Sequence, residues 1–344
     1  MSTSAYARMS GADRAKVVAF VLLMTAIPAI FLVPWAHRHL AIFFANPRAQ
    51  VFGQVLVAIL LEAFPFVLAG AILSGLIEVL VPPEALARLV PRGRAARLAL
   101  APLLGVIFPV CECGVVPVVR RLIRKGLPLD MAVAYLLAGP ILNPIVLAST
   151  VMAFAGRREM LAMPLARALG GYAAAVVVGL LVARWVKPPP ANVAPLHADH
   201  AHGAAAGLGV FARIVRHVAE DFLLLGGYLL FGSLLAAAVQ AYLPRTLILS
   251  VGTKPVLSTL GMMALAFGLN LCSEADAFVA ASFTQFTFAA KLGFLVLGPM
   301  LDVKLVAMYL GALPRRVLLI VLLVVPPLTL VVSELAGRVF EAIP

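Results

Sequence analysis

The sequence predicts an all-α polytopic membrane protein built by internal duplication, and three observations carry that prediction. Hydrophobic residues make up 63% of the 344 positions and charged residues only 12%. Mean hydropathy is +1.07, far above what soluble domains reach. Apolar runs long enough to cross a bilayer recur from end to end. Landmarks also repeat at an offset of 159 positions, pairing Cys113 with Cys272, Glu62 with Asp221 and Ser74 with Ser233. The same offset pairs Gly139-Pro140 with Gly298-Pro299, and Asn143 with Asp302.

In chain order the expected spans are about 17–35, 51–80, 128–155, 164–186, 218–242, 292–313 and 316–336. No convincing small-residue cleavage site follows the first, so it reads as a retained helix rather than a removed signal peptide. Two further apolar segments, about 98–119 and 256–290, are interrupted by Pro, Gly and polar residues. The expected organisation is an N-terminal transmembrane helix and loop (1–50), a first repeat (51–156) and a linking helix (157–186). A Pro/Ala/His-rich cytoplasmic linker (187–209), a second repeat (210–316) and a C-terminal transmembrane helix (317–344) follow.

Basic residues orient these spans, because short cytoplasmic loops collect Lys and Arg. Arg8, Arg14 and Lys16 place the N-terminus in the cytoplasm. Arg88, Arg92, Arg94 and Arg97 form one further cluster, and Arg120, Arg121, Arg124 and Lys125 the next. If both are inside, the segment between them enters and returns as a re-entrant hairpin, with Pro102, Pro109 and Pro117 breaking its helices. Irregular backbone at that depth is tolerated only when buried in protein or lining a cavity. The segment 256–290 would then dip from the opposite side, giving inverted-topology repeats with seven crossings. Arg157-Arg158 fits this scheme poorly. A full crossing by the cysteine segment would instead make the repeats parallel.

The net charge of +12 fits positive-inside loops better than nucleic-acid binding, since no soluble basic domain exists to form such a surface. The partners expected are the lipid bilayer and a small inorganic or organometallic substrate. An auxiliary membrane protein or a homo-oligomer is left open. No cofactor is expected.

Polar residues inside apolar spans mark the candidate site. Glu62, Glu112, Asn143, Asp221, Asn270, Glu274, Asp276 and Asp302 all lie within or beside such segments. A carboxylate at that depth costs a few kcal/mol, so it faces the interior, pairs, or stays protonated. The bland alternative is an interfacial charge or one neutralised by a neighbour, as Lys304 could do for Asp302. The chain has three cysteines, Cys111, Cys113 and Cys272, all on the duplicated motifs. Cysteine is often just a small buried hydrophobe. Convergence of the whole cysteine complement on matched places favours a functional reading. Soft thiolates select Cu(I), Zn or a trivalent metalloid. Glu62, Glu112, Asp221 and Glu274 are the candidates for proton coupling. Asn143, Asn270, Asp276 and Asp302 join the cysteines, Glu112 and Glu274 as candidate substrate contacts.

His197, His200 and His202 stand in the linker after Pro188-Pro189-Pro190. They are either a weak metal-binding tract or incidental to a flexible segment. The following stretch, Phe211 to His217, reads as an amphipathic lead-in on the membrane surface.

The run from Cys111 through Pro117, the run Arg120 to Gly126, and Gly139-Pro140-Ile141-Leu142-Asn143-Pro144 resemble the ArsP-type permease family, the DUF318 predicted permeases. Cys272 through Asp276 and Gly298 through Asp302 resemble the same pattern, so the likeness covers roughly 50–335. It implies a polytopic inner-membrane permease, and some members are linked to export of trivalent organoarsenicals, copper or zinc. Members often carry Cys-Ser-Cys-Gly at the first motif, where this chain has Glu112 in the middle. An acid there suits a cation or a proton-coupled cycle better than a neutral organoarsenical.

The expected function is a non-enzymatic permease exporting a soft metal or metalloid, driven by an ion gradient. No Gly-x-x-x-x-Gly-Lys-Ser/Thr loop for a nucleotide occurs. The alternatives are a permease for another small solute with packing cysteines, or a membrane redox relay, for which the usual Cys-x-x-Cys spacing is absent.

Overall fold

The computed structural model describes residues 47–82, 84, 86, 88, 90–91, 93–186, 210–242 and 255–342. These include no β-strand. The first half contributes α1 (Pro47–Leu80), α2 (Arg94–Leu100), α3 (Leu104–Ile107), α4 (Glu112–Arg124), α5 (Leu129–Ala138), α6 (Pro144–Ala153) and α7 (Ala162–Trp185). The second half contributes α8 (Val210–Tyr242), α9 (Pro255–Leu269), α10 (Asp276–Ser282), α11 (Phe288–Met300), α12 (Val303–Ala312) and α13 (Arg315–Ala342). The expected first span and the three linker histidines lie outside the described residues.

Five helical stretches among the described residues are long and apolar enough to cross a membrane: α1, α7, α8, the pair α11–α12, and α13. Their faces are reversed relative to a soluble protein. On α13, Leu319, Leu323, Val331 and Leu335 are exposed, whereas Thr329 and Ser333 are fully buried. That is the arrangement a hydrocarbon solvent requires, with polar groups turned inward. The α11–α12 stretch is the reverse case, almost wholly enclosed by the other helices. The chain is a multi-pass membrane protein.

The helix pattern repeats with the 159-residue offset seen in the sequence. Shifting Pro144–Ala153 by that offset gives the bounds of α12, Val303–Ala312. The corresponding long helices α1 and α8 pack side by side and run antiparallel. Arg48 at the start of α1 lies 5.9 Å from the ring centroid of Tyr242 at the end of α8. Gly75, near the end of α1, meets Val218 and Ile214 near the start of α8.

Two hairpins fill the centre. Arg97 of α2 is 3.1 Å from Asp130 of α5, and Gly105 of α3 abuts the backbone of Gly139 at the end of α5. The α2–α3 limb therefore runs parallel to α5. Between them the chain unwinds at 108–111 and returns along α4. The second half repeats this: Met263 of α9 packs on Gly293 of α11, and Ala266 on Gly298 further along. Here α10 makes the return.

The structure corrects several expectations. The stretch 128–155 is not one span, because α5 stops at Ala138 and α6 restarts at Pro144. Its counterpart breaks in the same way at Leu301-Asp302. Pro117 does not end a helix but sits inside α4, where its missing N–H leaves the carbonyl of Cys113 without its usual partner. What ends α4 is Gly126, at φ 98°, with Leu127 N–H bonded back to Leu122 O at 2.9 Å, a turn that glycine adopts most easily. The stretch Phe211–His217 is no separate surface helix but the first turns of α8, with Arg216 buried. Arg157 is occupied structurally, donating to Ala281 O at 2.6 Å at the end of α10. Arg158 lies over the ring of Phe340.

Candidate functional site

Broken helices build the site. α5 and α11 are buried along nearly their whole lengths; a Gly-Pro pair directly follows α5, and its counterpart stands inside the last turn of α11. The short helices that follow are capped by repeat-related residues. Asn143 accepts from Ile145 N–H at 2.9 Å, and Asp302 accepts from Leu305 N–H at 2.6 Å. A short polar side chain before an apolar helix serves its otherwise unpaired N–H groups. Such unwound helix ends at the protein core are where membrane transporters hold small solutes.

Against the start of α12 lies the start of α4, carrying the first cysteine motif. Cys111 is the residue before α4 and Cys113 is in its first turn, both buried. Glu112 between them is 1% exposed. Its Oε2 accepts from Ser273 Oγ at 2.8 Å, and Lys304 Nζ stands 3.4 Å from its Oε1. Lys304, 2% exposed, also lies 3.4 Å from Asp302 Oδ2 and donates to Asn270 O at 3.1 Å. The Lys304 N–H donates to Asn270 Oδ1 at 2.9 Å. Asn270 ends α9 with φ 52°, a left-handed conformation that asparagine tolerates better than most residues. Its Nδ2 donates to Gly268 O at 2.8 Å. Glu112, Asn270, Asp302 and Lys304 thus form one buried network across the two halves.

The second motif sits beside it. Cys272 lies close to Glu62 of α1 and to Glu274. One carboxylate oxygen of Glu274 is buried without a hydrogen-bond partner. Asp276 opens α10 and pairs with Arg167 of α7, Oδ2 to Nη2 at 2.8 Å. Arg167 is fully buried and also donates to Thr150 Oγ1 at 2.8 Å and Ser273 O at 3.1 Å.

Of the sequence-predicted residues, the structure brings Cys111, Glu112, Cys113, Asn270, Cys272, Asp302, Glu62, Glu274 and Asp276 to these adjoining helix ends. Asn143 stands at the matching cap of the other half. Asp221 lies elsewhere: it takes Arg121 Nη2 at 2.6 Å, Arg120 Nη1 at 2.8 Å and the Ser74 hydroxyl. Arg121 is nine residues along α4 from Glu112, about 13 Å at 1.5 Å per residue. Sequence reasoning missed Arg167 and treated Lys304 only as a neighbour of Asp302. Both are cations inside apolar runs, so the rule that singled out the carboxylates would have found them.

The three thiols do not form a ready ligand sphere. Among the described residues, no group of three or more His, Cys, Asp or Glu is placed to hold a metal ion. Residues two apart at a helix start project in different directions, which separates Cys111 from Cys113. Nor is Glu112 an unoccupied acid awaiting a cation, since the Lys304 ammonium already faces it.

A model of the family ArsP_1, described as "Predicted permease", matches residues 49–341. The chain is 40% identical over 273 residues to the UPF0718 protein YcgR of Bacillus subtilis, covering 77% of this chain and 89% of that protein. It is 36% identical over 267 residues to a "putative two-component membrane permease complex subunit" of Streptococcus mutans, covering 77% and 88%. To the UPF0718 protein YraQ of Escherichia coli it is 26% identical over 155 residues, less than half of either chain. No solved structure matches the chain significantly.

Proposed function

This chain belongs to the ArsP_1 predicted permease family, and we propose that it exports a small thiophilic solute, a soft metal or metalloid, through the core between its two halves. One observation carries the reading. Every cysteine in the chain is a free thiol at an unwound helix end, beside buried carboxylates, where the halves meet. The antiparallel pairing of α1 with α8 supports inverted-topology repeats, and the two hairpins then become re-entrant segments dipping from opposite faces. The N-terminus is placed in the cytoplasm and the protein in the inner membrane. An ion gradient supplies the energy, with Glu62, Glu112 and Glu274 as the coupling carboxylates. A second membrane component is also proposed, by analogy with the streptococcal relative's description as a complex subunit.

A second reading has its own observation. The Lys304 ammonium already faces both Glu112 and Asp302, so a metal cation would have to compete with it; on this reading the cysteines only pack and the cargo is another small solute. Protection of the thiols from maleimide, in purified protein titrated with Zn(II), Cu(I), As(III) or methylarsenite, separates the two. Protection by one of them that is lost in Cys272→Ser establishes a shared thiol site. Absence of protection by all four sinks the thiophilic reading and leaves the second.

A further inference from the structure

The two buried ion pairs at the cysteine motifs have opposite parentage. Glu112 follows Cys111 in the first half, and its cation, Lys304, comes from α12 of the second. Asp276 stands four residues after Cys272 in the second half, and its cation, Arg167, comes from α7 of the first. The contacting elements are repeat mates as well, α4 on α12 and α6 on α10, with Thr150 of α6 bonded to Arg167. Ser273 joins the two pairs: its hydroxyl donates to Glu112 and its carbonyl accepts from Arg167.

We propose that Arg167 and Lys304 are reciprocal positioning residues, each holding the cysteine motif of the opposite half in place. The inference rests on the reading of those motifs as the transport site for its functional meaning, but its geometry is independent of the cargo. Neither hairpin can leave the interface without stranding a charge in a water-poor core. Arg167 spans three elements with Nη1 and Nη2, which a packing residue would not need. Lys304 spans the start of α4, the end of α9 and the start of α12. The halves are therefore locked at two points: Arg167 holds the second motif, and Lys304 holds the first while also bracing Asn270 ahead of the second.

The test reads thiols one at a time and needs no substrate. Purified full-length protein is pulse-labelled with maleimide, and peptide mass spectrometry follows Cys111, Cys113 and Cys272 separately. Arg167→Gln is expected to label Cys272 about tenfold faster through local opening, leaving Cys113 near its original rate. Lys304→Gln is expected to accelerate Cys113 the most, with a smaller rise at Cys272, because Asn270 also loses its Lys304 bond. Arg167→Lys and Lys304→Arg, which keep the charge, should fall between the variant and the parent. Where a charge variant fails to elute as folded protein, Thr150→Val reads the Arg167 contact without removing a charge, and the same selective rise at Cys272 is expected. Equal acceleration of all three thiols overturns the proposal, as does unchanged labelling in folded protein. Loss of ion protection with selective labelling intact would sink the thiophilic reading alone.

Discussion

Glu112 and Lys304 stand 192 positions apart in the chain and 3.4 Å apart in the fold, both almost fully buried. Each needs the other, because a lone charge in such a core is strongly unfavourable. The dependence is unequal. Lys304 faces Asp302 and Asn270 O as well, and Glu112 keeps the Ser273 hydroxyl. Lys304→Met strands two carboxylates and should cost about 3–5 kcal/mol. Glu112→Gln should cost less, since the amide still accepts from Ser273 and the lysine retains Asp302. Thermal unfolding in detergent ranks the two, and equal losses would deny that Lys304 is the hub.

Asp221 has different partners from the carboxylates at the helix ends. It joins α8 to α4 through Arg120 and Arg121 and to α1 through Ser74. Arg121 reaches Glu78 as well, and Lys125 donates to Glu78 O and Val81 O at the end of α1. Asp221→Asn is therefore expected to lower stability by about 3–5 kcal/mol while the pH profile of transport keeps its shape. Glu62→Gln, beside Cys272, should change the profile with a smaller loss of stability. Transport in vesicles between pH 5.5 and 8.5, alongside melting curves, checks both. A shifted profile in Asp221→Asn would return that residue to the coupling candidates.

Much of this was legible before any coordinates. Long apolar runs at α1, α7, α8 and α13 are unambiguous, since a continuous span has few other interpretations. The 159-residue offset was readable because Cys, Gly-Pro and Asn/Asp recur where the backbone has special needs. The breaks inside 128–155 and 292–313 were harder. An apolar run does not reveal that Gly139-Pro140 ends a helix when Pro117, Pro65 and Pro326 sit inside theirs. The ion pairs were invisible for another reason. Arg167 and Asp276 are 109 positions apart, and periodicity carries no information about such partners.

A close backbone crossing also makes a prediction. A methyl group added at Gly70 of α1 would collide with the backbone of Gly114 in α4, where membrane helices use small residues to approach. Backbone cannot move aside as a flexible side chain would. Gly70→Ala should push α4 outward, costing about 1–3 kcal/mol and loosening the Cys113 motif. Faster maleimide labelling of Cys113 is the measurable sign. A methyl at Gly227 meets nothing, so Gly227→Ala is the control and should label like the parent.

The hairpin reading is tested by sidedness. Arg97 meets Asp130 at 3.1 Å, so the chain that leaves at α2 is back at the same level when α5 begins. In a background lacking the native cysteines, Arg94→Cys and Gly126→Cys should both react with a membrane-impermeant maleimide from one face of the membrane. The second hairpin belongs to the half whose leading helix runs the other way, as Arg48 over Tyr242 shows. Gln285→Cys, exposed between α10 and α11, should therefore react from the opposite face. Labelling in intact cells against inside-out vesicles decides it. Reaction of positions 94 and 126 from different faces would turn the first hairpin into a crossing, and reaction of position 285 from the same face as those two would make the repeats parallel.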